Sequence, residues 1–305
     1  MAKTNSNIKY RLSTGDRVFD LANYVFMCFL MIVTLYPFVN MFAVSMNDAM
    51  DSIKGGIYVW PRVWTWENYE YVFKQGAIVH ATFISAARTI LGTVISTFCC
   101  AMVAYTISRP DFVLRKFVTL AFVLTMYFNG GLIPNFLLIR ELNLMGSFWV
   151  YIIPGIIGVF NIIVIRSFIE QLPEGILESA RIDGGGEFTT FMRIVLPLSM
   201  PVLATTSLFT AVYQWNSWFD VFLYNSRYLD LSTLQYELMK MLQNSNASIS
   251  GSGSMDGSGG AATNFVTPTA IRSTMTIVAS APIIMIYPFL QRYFVKGMTL
   301  GGVKE

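Results

Sequence analysis

Residues 172–197 read LPEGILESARIDGGGEFTTFMRIVLP, an island of charge and glycine between two long apolar runs. Pro173 suits the first turn of a helix, where its missing N–H leaves nothing unpaired. Glu170, Glu174 and Glu178 recur every four residues, which predicts an acidic stripe on one helical face. Ile176, Leu177 and Ala180 fall on another side, so the helix is amphipathic. Gly184, Gly185 and Gly186 then allow backbone angles that residues with side chains resist. A second helical piece, Glu187–Ile194, leads into the next apolar run at Leu196-Pro197. The expectation is an elbow of two short helices lying on a surface, 170–197.

The runs on either side belong to a set of six: Leu21–Asn47, Thr89–Ser108, Phe117–Ile139, Leu142–Ile165, Ile194–Phe219 and Ser273–Gln291. A helix crossing the hydrocarbon core needs about 20 mostly apolar residues, and each run meets or nearly meets that length. Composition agrees. Of 305 residues, 54% are hydrophobic and 13% charged, with a mean hydropathy of +0.53. Soluble domains carry about 25% charged residues, so the solvent for much of this chain is lipid. The predicted spans are 20–46, 80–108, 114–139, 143–166, 195–222 and 271–292, with Arg88 near one interface. Pro37, Pro134, Pro154, Pro282 and Pro288 interrupt several of them, which membrane helices tolerate. The first run is too long for a signal-peptide core and lacks a small-residue cleavage pattern, so it reads as a retained helix. The whole chain, 1–305, is expected to be one all-α transmembrane domain.

Lysine and arginine set the orientation. With the N-terminus inside, segments 1–20, 109–116, 166–193 and 292–305 hold 13 basic residues in 70 positions, against 8 in 96 for the opposite set. The bias has the sense that the positive-inside rule requires, so both termini are predicted to be cytoplasmic. On the outer side, Trp60, Trp64 and Trp66 read either as an interfacial belt or as a surface for stacking substrate. In the outer loop 223–270, Thr233–Leu242 reads as a short amphipathic helix. The Gly/Ser/Ala stretch 248–262 reads as a passive linker or as an adaptable loop for a partner. Trp215, Asn216, Trp218 and Asp220 combine aromatic faces with hydrogen-bonding groups near the end of the fifth span. They are candidates for a solute pathway or ordinary interface anchors.

Several function classes are poorly supplied. His80 is the one histidine, and Cys28, Cys99 and Cys100 sit in apolar runs, which gives neither a metal spacing nor a disulfide framework. A net charge of +3 carries no nucleic-acid signal. A glycine-rich reading of Gly184–Gly186 as a phosphate cradle fails because no G-x-x-x-x-G-K-[ST] occurs anywhere. The chain is therefore not expected to be an enzyme. The alternative, an ion-coupled secondary transporter, needs buried carboxylates, and the central thirds of these runs lack Asp and Glu.

The elbow resembles the EAA loop, E-A-A-x3-G-x9-I-x-L-P, of permease subunits of type I ABC importers. Glu178, Ser179, Ala180, Gly184, Ile194, Leu196 and Pro197 stand at that spacing, with Ser179 for the first alanine as the one departure. Gly131-Leu132-Ile133-Pro134 with Leu137-Leu138, the segment Trp215–Asp220, and Gln291–Gly297 are similar to the maltose-permease (MalG-type) branch. Gly15-Asp16-Arg17 and Tyr36-Pro37-Phe38 lean toward its LplC-like group, which is linked to oligosaccharides of complex glycans.

The resemblance implies a sugar-importing permease in the bacterial cytoplasmic membrane. It implies a second homologous permease, two cytoplasmic ATPase subunits that hold ATP and Mg, and an extracytoplasmic sugar-binding protein. The elbow, Asp183 included, would dock on an ATPase. A tail carrying Arg292, Lys296 and Gly297 would reach between the two ATPases. The outer loop would reach into the binding protein.

Overall fold

The computed structural model describes residues 13–74, 76–250 and 267–300. In chain order the helices are α1 Thr14–Ser45, α2 Ala49–Ile53, α3 Glu67–Lys74, α4 Gly76–Ser108, α5 Arg115–Tyr127, α6 Leu132–Glu141 and α7 Val159–Ile169. They continue with α8 Glu174–Ile182, α9 Glu187–Thr190, α10 Leu196–Leu198, α11 Met200–Asn216, α12 Phe219–Tyr224, α13 Leu234–Ser250 and α14 Pro268–Leu300. Among the described residues, strand pairing is limited to an isolated bridge between Asn47 and Trp64.

Among the described residues, three helices are long and apolar enough to cross a membrane alone: α1, α4 and Pro268–Ile286 of α14. The spans expected over 114–139, 143–166 and 195–222 each contain a bend, and the sequence at each bend supplies a reason. Between α5 and α6 the chain turns through 119°. There Gly131 takes φ +89°, and its N–H is caught by Asn129 Oδ1 at 2.9 Å. Before α7, two 3₁₀ turns, Phe148–Tyr151 and Ile153–Gly155, contain Pro154, and the axis bends by 50°. The thiol of Cys100 accepts the stranded N–H of Gly158 there, at 3.3 Å. A π-helical turn, Phe191–Val195, and the bend around Ser199 and Pro201 set Glu187–Leu198 at 81° to α11.

The chain divides into two compact units. The described residues of Tyr71–Gly259 and Val278–Glu305 make one. Its main core packs α4 against α7 and α11, with Leu177 of α8 and Phe191 and Val195 of the π turn closing one end. A second cluster gathers Ile84, Ile139, Tyr151, Val221 and Tyr236. α4 and α11 approach closely at Gly92, where a methyl group would come within 2.8 Å of the Gln214 side chain.

The other unit is Met1–Glu70 with Gly260–Ile277. In it the buried Asn47 organises residues 46–66. Its Oδ1 accepts N–H groups from Arg62 at 2.7 Å and Val63 at 2.9 Å, and its amide donates to Asp51 and Ser52. Asp51 also accepts from Arg62 Nε at 2.9 Å. Asn68, equally buried, donates to the carbonyls of Ser45 and Asn47.

The amphipathic helix expected at 233–242 is the longer α13. Positions 251–266, most of the Gly/Ser stretch, and 301–305 of the tail lie outside the described residues. Arg292, Lys296 and Gly297 continue the backbone of α14, and the side chains of Arg292 and Lys296 lie outside them too.

Candidate functional site

The elbow forms, with one change from the expectation. Glu170 does not share a helix with Glu174 and Glu178, because the chain leaves helical geometry between α7 and α8. It closes α7 instead, accepting from Arg166 Nε at 2.9 Å. The acidic stripe is therefore the pair Glu174 and Glu178, both exposed on α8, while Leu177 and Ala180 are buried on its inner side. Ser179 Oγ donates to the Ile176 carbonyl at 3.0 Å and stays on the surface.

Asp183 caps the C-terminus of α8. Gly184 follows at φ +77°, its N–H bonding the Arg181 carbonyl at 3.0 Å, and the Gly185 N–H bonds the Ala180 carbonyl at 2.9 Å. This pair of bonds is a Schellman motif, which satisfies the last carbonyls of a helix and needs a left-handed residue. The two glycines are required for different reasons. Gly184 has open space around it and is held to glycine by its angle. Gly185 would place a methyl 2.8 Å from the Ala180 carbonyl oxygen. Beyond them Leu196 packs against the main core, Ile194 is half-buried and Pro197 is exposed.

What fixes the elbow is a polar clamp that the sequence reading did not single out. Arg181 donates to Asp111 at 2.9 Å and to Glu187 at 3.0 Å. Tyr105 of α4 donates to the other Glu187 oxygen at 2.5 Å. Asp111 first, and then Glu187, hold the Arg181 guanidinium above its ordinary pKa. The clamp joins α8, the start of α9, the end of α4 and the turn after it. No spacing rule could show it, since Asp111 and Arg181 lie 70 residues apart.

The second polar centre includes one expected residue, Asp220, and centres on Arg88, which was not a candidate. Arg88 of α4 is 1% exposed and donates to Asp220 Oδ2 at 2.5 Å and Oδ1 at 3.3 Å. It also donates to Gln214 Oε1 at 3.1 and 3.0 Å, and its guanidinium lies over the Tyr151 ring. Gln214 passes the network on to the Tyr151 carbonyl at 3.2 Å. A signal for it existed, an arginine within the predicted span 80–108. Of the four candidate pathway residues, Asp220 belongs to this centre. Trp215 is buried and donates to the Ala279 carbonyl at 2.8 Å. Asn216 is exposed and accepts from Gln235 at 3.2 Å, and Trp218 packs into the second apolar cluster. The structure does not bring the four together. Among the described residues no group of His, Cys, Asp and Glu could hold a metal ion.

Residues 81–300 match the family described as binding-protein-dependent transport system inner membrane component. The polygalacturonan/rhamnogalacturonan transport system permease protein YtcP of Bacillus subtilis is 33% identical over 291 residues, covering 95% of this chain and 99% of its own. The protein LplC of the same organism is 33% identical over 295 residues, covering 95% and 96%. Its arabinooligosaccharides transport system permease protein AraQ is 27% identical over 304 residues, covering 96% and 99%. Among solved structures, a chain of a bacterial ABC transporter involved in the import of the acidic polysaccharide alginate matches with a TM-score of 0.83 at 25% identity. The match covers 93% of this chain and 99% of that one. These findings bear out the resemblance read from Glu178–Pro197.

Proposed function

Since the chain belongs to the binding-protein-dependent transport system inner membrane component family, we propose that it is the membrane-spanning permease subunit of an ATP-driven importer for oligosaccharides of complex glycans. The names of two relatives, a polygalacturonan/rhamnogalacturonan transport system permease protein and an arabinooligosaccharides transport system permease protein, support that substrate class. It crosses the bacterial cytoplasmic membrane six times, counting each bent helix pair as one crossing, with both termini in the cytoplasm. It pairs with a second permease, receives sugar from an extracytoplasmic binding protein, and leaves ATP and Mg to two partner ATPase subunits. Arg292, Lys296 and Gly297 lie on the tail that reaches toward those ATPases.

The observation that carries the reading is the elbow. Coupling by a lever needs a stiff arm, because a loose loop would absorb the motion. Here α8 is stopped by a Schellman motif, clamped through Arg181 and seated on the core by Leu177 and Ala180. Its exposed side presents Glu174 and Glu178 for a basic groove on the ATPase. Ser179, Ala180, Asp183, Gly184, Ile194, Leu196 and Pro197 hold the arm in shape. A hydrogen bond to a charged group contributes about 1.5–3 kcal/mol. Glu178→Lys is expected to reduce co-purification of the ATPase at least tenfold while leaving membrane insertion intact. Undiminished co-purification together with wild-type sugar uptake would remove the elbow from the coupling role.

A further inference from the structure

Three interrupted helices meet around one cavity of about 460 Å³. The α5–α6 bend contributes Asn129 and Asn135, the 3₁₀ turns before α7 contribute Tyr151, and the α11–α12 break contributes Ser217 and Asp220. In a hydrocarbon solvent non-helical backbone is tolerated only where it is buried in protein or lines a watery hollow. Three breaks on one hollow therefore set polar groups into a wall that also carries Leu132, Val150 and Phe219. Its volume lies within the about 300–1,000 Å³ usual for small-molecule sites.

The lining has a definite chemical bias. Tyr213 and Tyr224 supply aromatic surface, and Tyr224 stacks on Phe136 with an interplanar angle of 13°. Asn129, Asn135 and Ser217 supply neutral hydrogen-bonding groups. Asp220 is the one charged lining residue among those described, and no Lys, Arg or His joins it. Its counter-ion, Arg88, lies behind it at 1% exposure. The ion pair therefore shows the cavity its carboxylate side. A carboxylate is an acceptor suited to hydroxyl groups, and a second anion here meets a like charge with no exposed cation to neutralise it.

We propose that this cavity is a glycosyl subsite for neutral, hydroxyl-rich sugar units, in which Asp220 accepts a sugar hydroxyl between the Tyr213 and Tyr224 rings, and that it turns uronates away. The proposal rests on the transport reading and narrows its substrate at this point of the path.

The test uses the assembled transporter carrying Asn135→Cys, with the unsubstituted chain as background for its own cysteines. Labelling of position 135 by a membrane-impermeant thiol reagent is followed with α-1,4-galactotriose or α-1,4-trigalacturonate present, two sugars that differ by oxidation at C6. Galactotriose is expected to protect at concentrations at least tenfold lower than trigalacturonate. Adding Tyr213→Ala should weaken that protection at least fivefold. Adding Leu132→Lys, which places a cation on the cavity wall, should bring trigalacturonate to parity or better. Equal protection by the two sugars in the Asn135→Cys chain, preference for the uronate there, or no protection by either overturns the proposal. Protection needs neither ATP nor the binding protein. Failure of the transport reading would show separately, as absence of sugar uptake and of ATPase co-purification.

Discussion

At Gly184 the backbone stands at φ +77° with nothing near its missing side chain, so the angle alone excludes other residues. Gly184→Ala should therefore destabilise the elbow by about 1 kcal/mol and Gly184→Asn by less, since asparagine enters the left-handed region more readily. Hydrogen exchange over 174–190 measures this, and equal protection in both variants and the parent would contradict it. Arg88 is a different case, because its charge is buried and relies on Asp220 and Gln214. Removing one member of a buried pair costs about 3–5 kcal/mol, whereas replacing both by apolar groups is often neutral. Asp220 is a fifth exposed, which places the expected loss for Asp220→Asn at the lower end. Arg88→Met with Asp220→Leu should recover most of the thermal stability that Asp220→Asn loses. A double variant less stable than the single one would show that the pair holds the fold.

Among elements, α4 and α11 pack closely because Gly92 leaves room for the Gln214 side chain. Gly92→Ala would push Gln214 away from Arg88 and the Tyr151 carbonyl. Overpacking of this kind costs about 1–3 kcal/mol, read as a lower melting temperature of the detergent-solubilised chain. An unchanged melting temperature would mean that Gln214 relocates freely. The segment 46–66 depends on Asp51, whose pKa is lowered chiefly by the Asn47 hydrogen bond and then by Arg62. A carboxylate with a lowered folded pKa stabilises fully above its ordinary value, about 4, and loses that contribution as pH falls through the lowered value. Fluorescence of Trp60 and Trp64 should accordingly stay constant from pH 7 to 5 and change only in stronger acid. A transition near pH 6 would assign the tie to another group.

For the whole molecule, the proposed permease role predicts that the purified chain hydrolyses no ATP. Turnover by the lone protein, free of contaminating ATPase, would overturn the assignment. Much of this was legible in order along the chain. Apolar length marked the segments able to cross a membrane, glycine and proline marked where helices stop, and the spacing from Glu178 to Pro197 identified the family, because these are local properties of hydropathy and backbone angle. How far each break turns the chain was not. A run such as Phe117–Ile139 has the composition of one crossing, and Gly131 turns it through 119° only because the freed backbone finds Asn129 and an open hollow. Glu170 fitted a helical stripe by spacing and went to Arg166 instead. Partners far apart in sequence were likewise invisible: Arg88 with Asp220, 132 residues on, and Arg181 with Asp111. The sequence by itself determined the solvent, the helical class and the family, since each follows from local pattern. Only the tertiary structure decided which charges are neutralised and where three interrupted helices enclose a polar space, because those depend on which distant groups packing brings within hydrogen-bond reach.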